Sequence, residues 1–255
     1  MPYDAIHSMD LTGKVAIVTG GSRGIGKAIS KCFAENGAKV IVTSRKLDNC
    51  EKIAKEIIEL GGSAHAVAAH MGDLSDIENL VKETISAFGS IDIIVNNAAN
   101  PLMKGIGNIT EEAWSKALNT NLRGPVFLVQ EALPYLEKSS ESSVINILSN
   151  AAYMYAPHHL LYPVAKAGLE AATRSMAAQL ASKGIRVNAL VPGTVDTDMV
   201  RAMPESFQKT SAKASLLQRA AEPEEITAMA LLLASPAGSF MTGHTYFVDG
   251  GQSYR

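Results

Sequence analysis

The stretch 14-KVAIVTGGSRGIGKAISKCFAENG-37 combines an apolar run, a glycine-rich turn and an amphipathic pattern that closes at a glycine. The run 14-KVAIVTG-20 has the length and the Val/Ile content of a strand that is buried on both faces. The segment 25-IGKAISKCFAENG-37 has helical periodicity, and its final Gly37 suits the left-handed conformation in which many helices end. This order of elements predicts the first unit of a parallel sheet whose strands alternate with helices.

The same alternation continues along the rest of the chain. Further strand-like runs are 38-AKVIVTS-44, 64-AHAVAAH-70, 91-IDIIVNN-97, 143-SVINILS-149, 185-IRVNALV-191 and 244-HTYFVDG-250. A helical pattern such as 76-DIENLVKETISAFG-89 separates two of them and again closes at a glycine. Right-handed strand–helix–strand units of this kind predict an α/β fold. We expect a doubly wound, Rossmann-type parallel sheet of about seven strands, flanked by helices on both faces.

The composition predicts one domain over residues 1–255. Of these residues 47% are hydrophobic, which is enough for one large core, and no repeat or Pro/Gly/Ser-rich linker divides the chain. The 25 acidic and 23 basic side chains leave a net charge of -2, which argues against nucleic acid or an anionic membrane as the partner. The least regular segment, residues 196–220, is expected to be either a substrate lid or an irregular pair of surface helices.

The cysteines and the N-terminus predict a cytoplasmic location. Cys32 and Cys50 both fall in predicted helices, so neither a disulfide framework nor a CxxC metal site is visible, and a reducing compartment fits best. The first ten residues lack the apolar region of a signal peptide, and no later apolar run is long enough to span a bilayer. His158 and His159 have no third ligand at a suitable spacing, so we expect no metal. They are expected at the substrate entrance or in a solvated loop.

The turn 19-TGGSRGIG-26 lies between the first predicted strand and the first predicted helix. Its glycines let backbone N–H groups approach a diphosphate closely, and the helix N-terminus favours an anion. In the first strand-to-helix turn of such a fold, this pattern predicts a dinucleotide site. The predicted contacts are Gly20, Ser22, Arg23, Gly24, Ile25 and Gly26.

The TGxxxGxG spacing differs from the GxGxxG of most dinucleotide folds and resembles that of the short-chain dehydrogenase/reductase family. The resemblance runs from about Leu11 to Gly251. Further matches are 96-NNAAN-100, 121-NLRGPVF-127, Ser149, Tyr162 with Lys166, 185-IRVNALVPG-193 and 248-VDGG-251. The resemblance implies a nicotinamide-dependent oxidoreductase. Residue 99 is a departure, since the family usually has glycine there, but we expect the methyl group of Ala99 to leave cofactor binding intact.

The end of the second predicted strand indicates which nicotinamide cofactor binds. The segment 42-VTSRK-46 has no carboxylate to accept hydrogen bonds from the adenosine ribose, a contact that selects NAD(H). Ser44 and Arg45 stand there instead, and Arg23 reaches the same volume, so two guanidinium groups can surround a 2′-phosphate. The sequence therefore predicts NADP(H) rather than NAD(H). The alternative is that Arg45 is a solvated residue at the start of the next helix.

The family resemblance implies further contacts with this cofactor. The expected contacts are Asp73 and Leu74 at the adenine, Asn97 and Ala98 along the ribose, Pro192, Gly193, Val195 and Thr197 at the nicotinamide end, and Tyr162 and Lys166.

Ser149, Tyr162 and Lys166 predict a site of proton transfer. Lys166 follows Tyr162 by four residues in the helical pattern 162–181, so both side chains project from one face, one turn apart. Hydride transfer to a ketone creates an alkoxide that needs a proton donor, and a nearby ammonium is expected to lower the pKa of the phenol. Ser149 ends the fifth predicted strand and is expected to bind the substrate oxygen. The resemblance adds Asn121, which implies a water molecule that links the lysine to solvent.

We therefore expect an NADP(H)-dependent oxidoreductase that acts on a small carbonyl compound or secondary alcohol. Its pattern is most similar to carbonyl reductases and 3-oxoacyl reductases. The alternatives are a sugar, polyol or hydroxysteroid dehydrogenase, and a non-catalytic NADP-binding regulator, which would tolerate loss of Ser149 or Tyr162. Apolar residues in 150–161 and 196–213 hint at a hydrophobic ketone.

Two predicted helices carry long apolar faces, residues 122–138 and 162–181. Faces that exceed what one sheet can cover mark interfaces. They predict a symmetric homo-oligomer, a tetramer or a dimer.

Overall fold

The computed structural model describes residues 7–155 and 159–253. Its centre is a parallel sheet of seven strands in the order β3-β2-β1-β4-β5-β6-β7. The strands are β1 (Val15–Thr19), β2 (Lys39–Ser44), β3 (Ser63–Ala68), β4 (Ile93–Asn96), β5 (Ser142–Ile147), β6 (Ile185–Pro192) and β7 (Thr245–Val248). Each of the seven predicted runs forms a strand, and the predicted doubly wound fold is confirmed.

Helices connect the strands and cover both faces of the sheet. They are α1 (Gly24–Glu35), α2 (Leu47–Glu59), α3 (Leu74–Phe88), α4 (Glu111–Leu118), α5 (Gly124–Leu136), α6 (Leu161–Leu180), α7 (Asp198–Arg201), α8 (Glu205–Lys213) and α9 (Thr227–Ala234). A π-helical turn, Asn119–Arg123, joins α4 to α5. Helix α6 begins at Leu161, so Pro163 falls in the first turn, where proline is tolerated.

The buried strands divide the apolar side chains between two layers. Successive side chains of a strand point to opposite faces, so Ala16 and Val18 of β1 face one layer while Ile17 faces the other. The first layer contains apolar residues of α1, α2 and α9, and the second contains those of α3, α5 and α6. Burial of each large aliphatic side chain contributes about 1.5–3 kcal/mol to the stability of the fold. This packing holds the strands in place, and their ends carry the candidate site.

All seven strands run in the same direction, so their carboxyl ends meet at one edge of the sheet. The chain leaves β1 for β2 on one side, while β4 lies on the other side of β1. A crevice forms at such a switch in strand order, and ligands of doubly wound sheets bind there.

Residues 196–220 contain the short helices α7 and α8 after β6. The Arg201 guanidinium donates two hydrogen bonds to the Asp196 carboxylate, at 2.8 and 2.9 Å. The Gln208 amide donates to the Met203 carbonyl at 2.7 Å. The segment therefore contains two short helices with hydrogen bonds inside it, an arrangement that both predicted alternatives allow.

Across the described ranges 7–155 and 159–253, none of the helices combines the length and the apolar character needed to cross a lipid bilayer.

Candidate active site

A cavity of about 810 Å³ opens at the carboxyl edge of the sheet. Its walls come from the turns after β1, β2, β3, β4, β5 and β6 and from α6, α7 and α8. Sixteen of the predicted catalytic and cofactor-binding residues line it: Gly20, Ser22, Arg23, Gly24, Ile25, Ser44, Arg45, Asn97, Ala98, Ser149, Tyr162, Lys166, Pro192, Gly193, Val195 and Thr197. Gly26, Asp73, Leu74 and Asn121 lie outside the lining.

The glycine turn needs glycine at two positions for different reasons. Gly20 has φ +64°, a left-handed conformation that side chains disfavour. Gly26 lies behind the cavity wall, where a Cβ would collide with the Gly20 carbonyl oxygen and the Asn97 side-chain amide. Helix α1 starts here without a side-chain cap and without an acidic residue in its first turn. Its first N–H groups are therefore free of a competing carboxylate, as an anion site requires.

Thr19 joins the turns that follow β1 and β4. Its buried hydroxyl donates to the Val95 carbonyl at 3.1 Å and accepts from the backbone N–H groups of Asn97 and Ala98, at 2.9 and 3.0 Å. The Asn97 amide donates back to the Thr19 carbonyl at 2.8 Å. These bonds hold both turns at fixed positions beside the cavity. The sequence prediction missed Thr19, although it directly precedes the first glycine of the motif.

The end of β2 forms a cationic part of the cavity. The Ser22 hydroxyl donates to the Ser44 hydroxyl at 2.9 Å, and exposed Arg23 and Arg45 line the same region together with Lys46. The one acidic side chain among the described residues that line the cavity is Asp198, which lies on α7 instead. Three cationic side chains can pair with a phosphate on the adenosine ribose. A ribose with two free hydroxyls would instead need a carboxylate to accept its hydrogen bonds, and none of the described residues in this part of the cavity carries one.

Asp73 and Leu74 do not reach the cavity, and their placement at the adenine is corrected. Strand β3 ends at Ala68, and the backbone N–H of Asp73 donates to the His70 carbonyl at 2.8 Å, so the chain has already turned away at Asp73. The Asp73 carboxylate caps α3 by accepting from the Ser75 N–H at 2.9 Å, and Leu74 packs against the core. The residues that line the cavity after β3 are Ala69, His70 and Met71.

Two buried hydroxyl groups beside this turn fit a polar ligand. Thr43 and Thr120 line the cavity, and their side chains are 1% and 8% exposed. Neither hydroxyl has a hydrogen-bond partner among the described residues. A buried polar group without a partner is costly, so a ligand that supplies hydrogen bonds at this end is favoured.

Ser149, Tyr162 and Lys166 meet at the centre of the cavity. Lys166 is buried, and its ammonium donates to the Ile147 carbonyl at 2.7 Å and lies 5.7 Å from the centre of the Tyr162 ring. The Tyr162 hydroxyl is hydrogen bonded to that of Ser149. Ser149 ends the β5 segment and begins a short 3-10 turn, where its hydroxyl accepts from the Ala151 N–H at 3.2 Å.

The pKa values of this group differ from the expectation for the tyrosine. Burial raises the pKa of Tyr162 above its ordinary value, and the hydrogen bond with Ser149 only opposes that shift. Burial also lowers the pKa of Lys166 to about 8. The expected net lowering of the Tyr162 pKa is therefore wrong for this structure, because burial is the largest cause of the shift and outweighs the hydrogen bond with Ser149. A raised pKa keeps the phenol protonated at neutral pH, as a proton donor must be.

Asn121 lies behind this group in the π-helical turn and is fully buried. Its amide nitrogen donates to the carbonyls of Asn100 and Ala117 at 2.9 and 2.8 Å, and its amide oxygen accepts from the Asn100 N–H at 2.9 Å. The side chain thus holds Asn100, which lines the cavity, in place.

The remaining wall of the cavity comes from the two segments that the sequence analysis connects with the substrate, 150–161 and 196–213, and from the turn after β4. Met154, Tyr155 and His159 line it after β5, while His158 lies outside the described residues. Met199, Met203 and Phe207 line it from the α7–α8 segment, and Met103 from the turn after β4. Within the described parts of the chain, no group of three or more His, Cys, Asp or Glu side chains is placed to hold a metal ion.

Residues 20–253 match the family model described as Enoyl-(Acyl carrier protein) reductase. The chain is 34% identical to 3-oxoacyl-[acyl-carrier-protein] reductase FabG of Thermotoga maritima over 243 residues, which are 95% of this chain and 99% of that protein. It is 36% identical to Dehydrogenase/reductase SDR family member 4 of Homo sapiens over 248 residues, 96% of this chain and 89% of that protein.

Solved structures with the same fold cover nearly the whole chain. A dehydrogenase/reductase from Sinorhizobium meliloti 1021 superposes with a TM-score of 0.93 at 34% identity, over 98% of both chains. A short-chain type dehydrogenase/reductase from Mycobacterium marinum superposes with a TM-score of 0.94 at 30% identity, over 99% of this chain and 100% of that one.

Proposed function

Because the chain belongs to the short-chain dehydrogenase/reductase family of oxidoreductases, we propose that it transfers a hydride between NADP(H) and a carbonyl or secondary-alcohol carbon. The observation that carries this proposal is the position of the Ser149–Tyr162–Lys166 group in the same cavity as the glycine turn. A nicotinamide cofactor supplies the hydride when bound. The chain itself must then orient the carbonyl and deliver a proton to its oxygen.

In this proposal Tyr162 is the proton donor and Ser149 orients the substrate. The Ser149 hydroxyl, already hydrogen bonded to that of Tyr162, turns toward the carbonyl oxygen and polarises it. The phenol donates its proton to the same oxygen. The Lys166 ammonium, held by the Ile147 carbonyl, stabilises the charge that remains on the tyrosine oxygen. Asn121 fixes the neighbouring turn and remains our candidate for ordering a water molecule behind the lysine.

The cations at the end of β2 support NADP(H) over NAD(H). Arg23, Arg45 and Lys46 line the cavity beside the paired hydroxyls of Ser22 and Ser44, where a 2′-phosphate gains charge-assisted hydrogen bonds. The cellular NADP(H) pool is kept largely reduced, so we propose carbonyl reduction as the working direction. We propose the α7–α8 segment, which lines the opposite wall, as a substrate lid.

We also propose a symmetric homo-oligomer, a dimer or tetramer, in the cytoplasm. Helix α6 exposes Val164, Ala167 and Ala171 at intervals of three and four residues, a small apolar stripe that suits helix packing between subunits. The free thiols of Cys32 and Cys50 suit a reducing compartment. Analytical ultracentrifugation measures the assembly directly.

The proposed activity is tested by mixing the purified chain with a panel of ketones and either NADPH or NADH, and following absorbance at the nicotinamide band. We expect NADPH to be oxidised in the presence of at least one ketone class, with NADH at least tenfold less effective in kcat/KM. Oxidation of neither cofactor with any ketone contradicts the proposed activity. A preference for NADH contradicts the role of Arg23 and Arg45.

A further inference from the structure

The cavity continues beyond Ser149 and Tyr162 into a region with a different lining. Six side chains, which we name the apolar end, form that region: Met103, Met154, Tyr155, Met199, Met203 and Phe207. They follow β4, β5 and β6, whereas the cationic residues follow β1 and β2. Along the sheet edge the strands run β2-β1-β4-β5-β6, so the cationic residues lie toward the β2 side of the cavity and the apolar end lies toward the β6 side, where Ser149 also follows β5.

Much of the apolar end is uncovered by the protein itself. Met103, Met154 and Phe207 are 39%, 43% and 42% exposed, and Tyr155 is fully exposed. Large apolar side chains that line one concave surface at this exposure mark a surface that a ligand covers. An apolar substrate removes this surface from water and gains binding free energy in proportion to the area covered.

Four of the six residues of the apolar end are methionines. The methionine side chain is unbranched and polarizable, so it adapts to ligands of different shapes. Met199 and Met203 are spaced by four residues on the α7–α8 segment, and Phe207 follows after four more. This wall therefore fits several bulky apolar groups rather than one defined shape.

The charges at this end disfavour anionic and sugar substrates. Asp198, the charged side chain that lines this side, is paired with Arg201 at 3.7 Å, and Arg201 is also held by Asp196. The Gln252 amide oxygen is used by the Thr194 N–H at 2.9 Å. A phosphopantetheine arm brings a phosphodiester to the mouth of the cavity, and a buried sugar needs a partner for each hydroxyl. Among the described residues that line this end, no Lys or Arg side chain is present to pair with a phosphodiester, and the Thr194 hydroxyl already donates to the Ser211 carbonyl at 3.2 Å.

We propose that the substrate is a neutral ketone with a bulky apolar substituent, bound with that substituent against the apolar end. Acyl thioesters of phosphopantetheine and sugars are then poor substrates. This inference rests on the proposed function, because it concerns the wall beside the same Ser149 and Tyr162. It goes beyond that function by separating bulky ketones from the 3-oxoacyl and sugar classes.

The first test compares kcat/KM with NADPH for phenyl alkyl ketones of increasing alkyl length, acetoacetyl-coenzyme A and fructose. Each added methylene is expected to raise kcat/KM about fourfold until the apolar end is filled. A higher kcat/KM for acetoacetyl-coenzyme A or fructose overturns this inference while leaving the proposed NADPH-dependent reduction standing. If no compound oxidises NADPH, the proposed function fails as well.

The second test changes the polarity of the apolar end without changing its size. Met203→Gln is expected to lower kcat/KM for the bulkiest ketone about tenfold. The dependence of kcat/KM on alkyl length is also expected to flatten, because an apolar substituent would strip water from the glutamine amide without offering it a hydrogen bond. Met203→Leu, which stays apolar, is expected to lose less. Leu60→Gln makes the same change at an exposed position outside the cavity and controls for surface effects. An unaltered chain-length dependence in Met203→Gln overturns the proposal.

Discussion

The two ends of the cavity are built in different ways. The cationic part, here called the cationic end, comes from residues 19–25 and 44–46, two short segments whose positions are set by the ends of adjacent buried strands. The apolar end comes from residues 103, 154–155 and 199–207, which follow three other strands. These residues are far apart in the sequence, and folding brings them to the same cavity. The cationic end thus depends on local backbone geometry, while the apolar end depends on side chains added to a shared scaffold.

The largest expected effect on cofactor binding comes from breaking the backbone geometry of the cationic end. Gly26→Ala places a methyl group against the Gly20 carbonyl oxygen and the Asn97 amide, so the turn must shift. We expect the Kd for NADPH, measured by fluorescence titration, to rise roughly 100-fold. Gly168→Ala in α6 is the control, since the atoms nearest to its Cβ belong to the Leu122 side chain rather than to backbone, and its Kd is expected to stay within about threefold. Tight NADPH binding by a folded Gly26→Ala variant contradicts the assigned role of the turn.

A smaller effect is expected when only the charge of the cationic end changes. Arg45→Glu replaces a guanidinium beside Ser44 by a carboxylate, which repels a 2′-phosphate and accepts from ribose hydroxyls. We expect the preference for NADPH over NADH, as a ratio of kcat/KM values, to fall roughly 10- to 100-fold. Lys52→Glu makes the same charge change at an exposed position of α2 outside the cavity. An equal fall in both variants would show a general field effect instead of a phosphate contact.

The pH dependence of ketone reduction tests the group between the two ends. Burial lowers the pKa of Lys166 to about 8, so its ammonium is charged below that pH and is lost above it. The raised pKa of Tyr162 leaves the phenol protonated over this range. We therefore expect kcat to fall as pH rises through about 8, approaching tenfold per pH unit. The residual activity of Lys166→Arg, whose guanidinium stays charged, is expected to lack this fall. A flat wild-type profile up to pH 9.5 contradicts the proposed role of the ammonium.

The smallest expected effect concerns stability near the catalytic group. Asn121→Ala removes the amide that bonds to the backbone of Asn100 and Ala117, leaving buried polar groups without partners. We expect the free energy of unfolding in urea to fall by about 1–3 kcal/mol. Asn79→Ala at an exposed position of α3 is expected to change it by less than about 0.5 kcal/mol.

The sequence predicted the strands and the cationic end because both are local features. A buried strand is a short Val/Ile run, and Arg23 and Arg45 lie at fixed distances from the glycines and from the end of β2. Asp73 and Leu74 were misplaced because spacing alone does not show that the chain turns away after His70, three residues earlier. The residues directly after the end of β3, Ala69 to Met71, line the cavity, so closeness to the strand end was the better signal of a cavity residue.

The apolar end could not be predicted as a unit for a related physical reason. Met103 lies in an irregular turn, and Met203 between two short helices, so neither takes part in a periodic pattern that reveals its direction. The pKa of Tyr162 was also beyond a sequence argument. The sequence correctly placed Lys166 one helical turn from Tyr162. The burial of the Tyr162 hydroxyl, which is the largest cause of its raised pKa, follows only from the packed structure.

The most direct test of the account is the rate of ketone reduction by Tyr162→Phe, measured under saturating NADPH together with the Kd of that variant for NADPH. The substitution removes one hydroxyl and leaves the ring beside Lys166 in place. We expect kcat to fall roughly 100- to 10,000-fold while the Kd stays within about threefold. Unchanged NADPH oxidation by a folded Tyr162→Phe variant would contradict the assignment of Tyr162 as the proton donor.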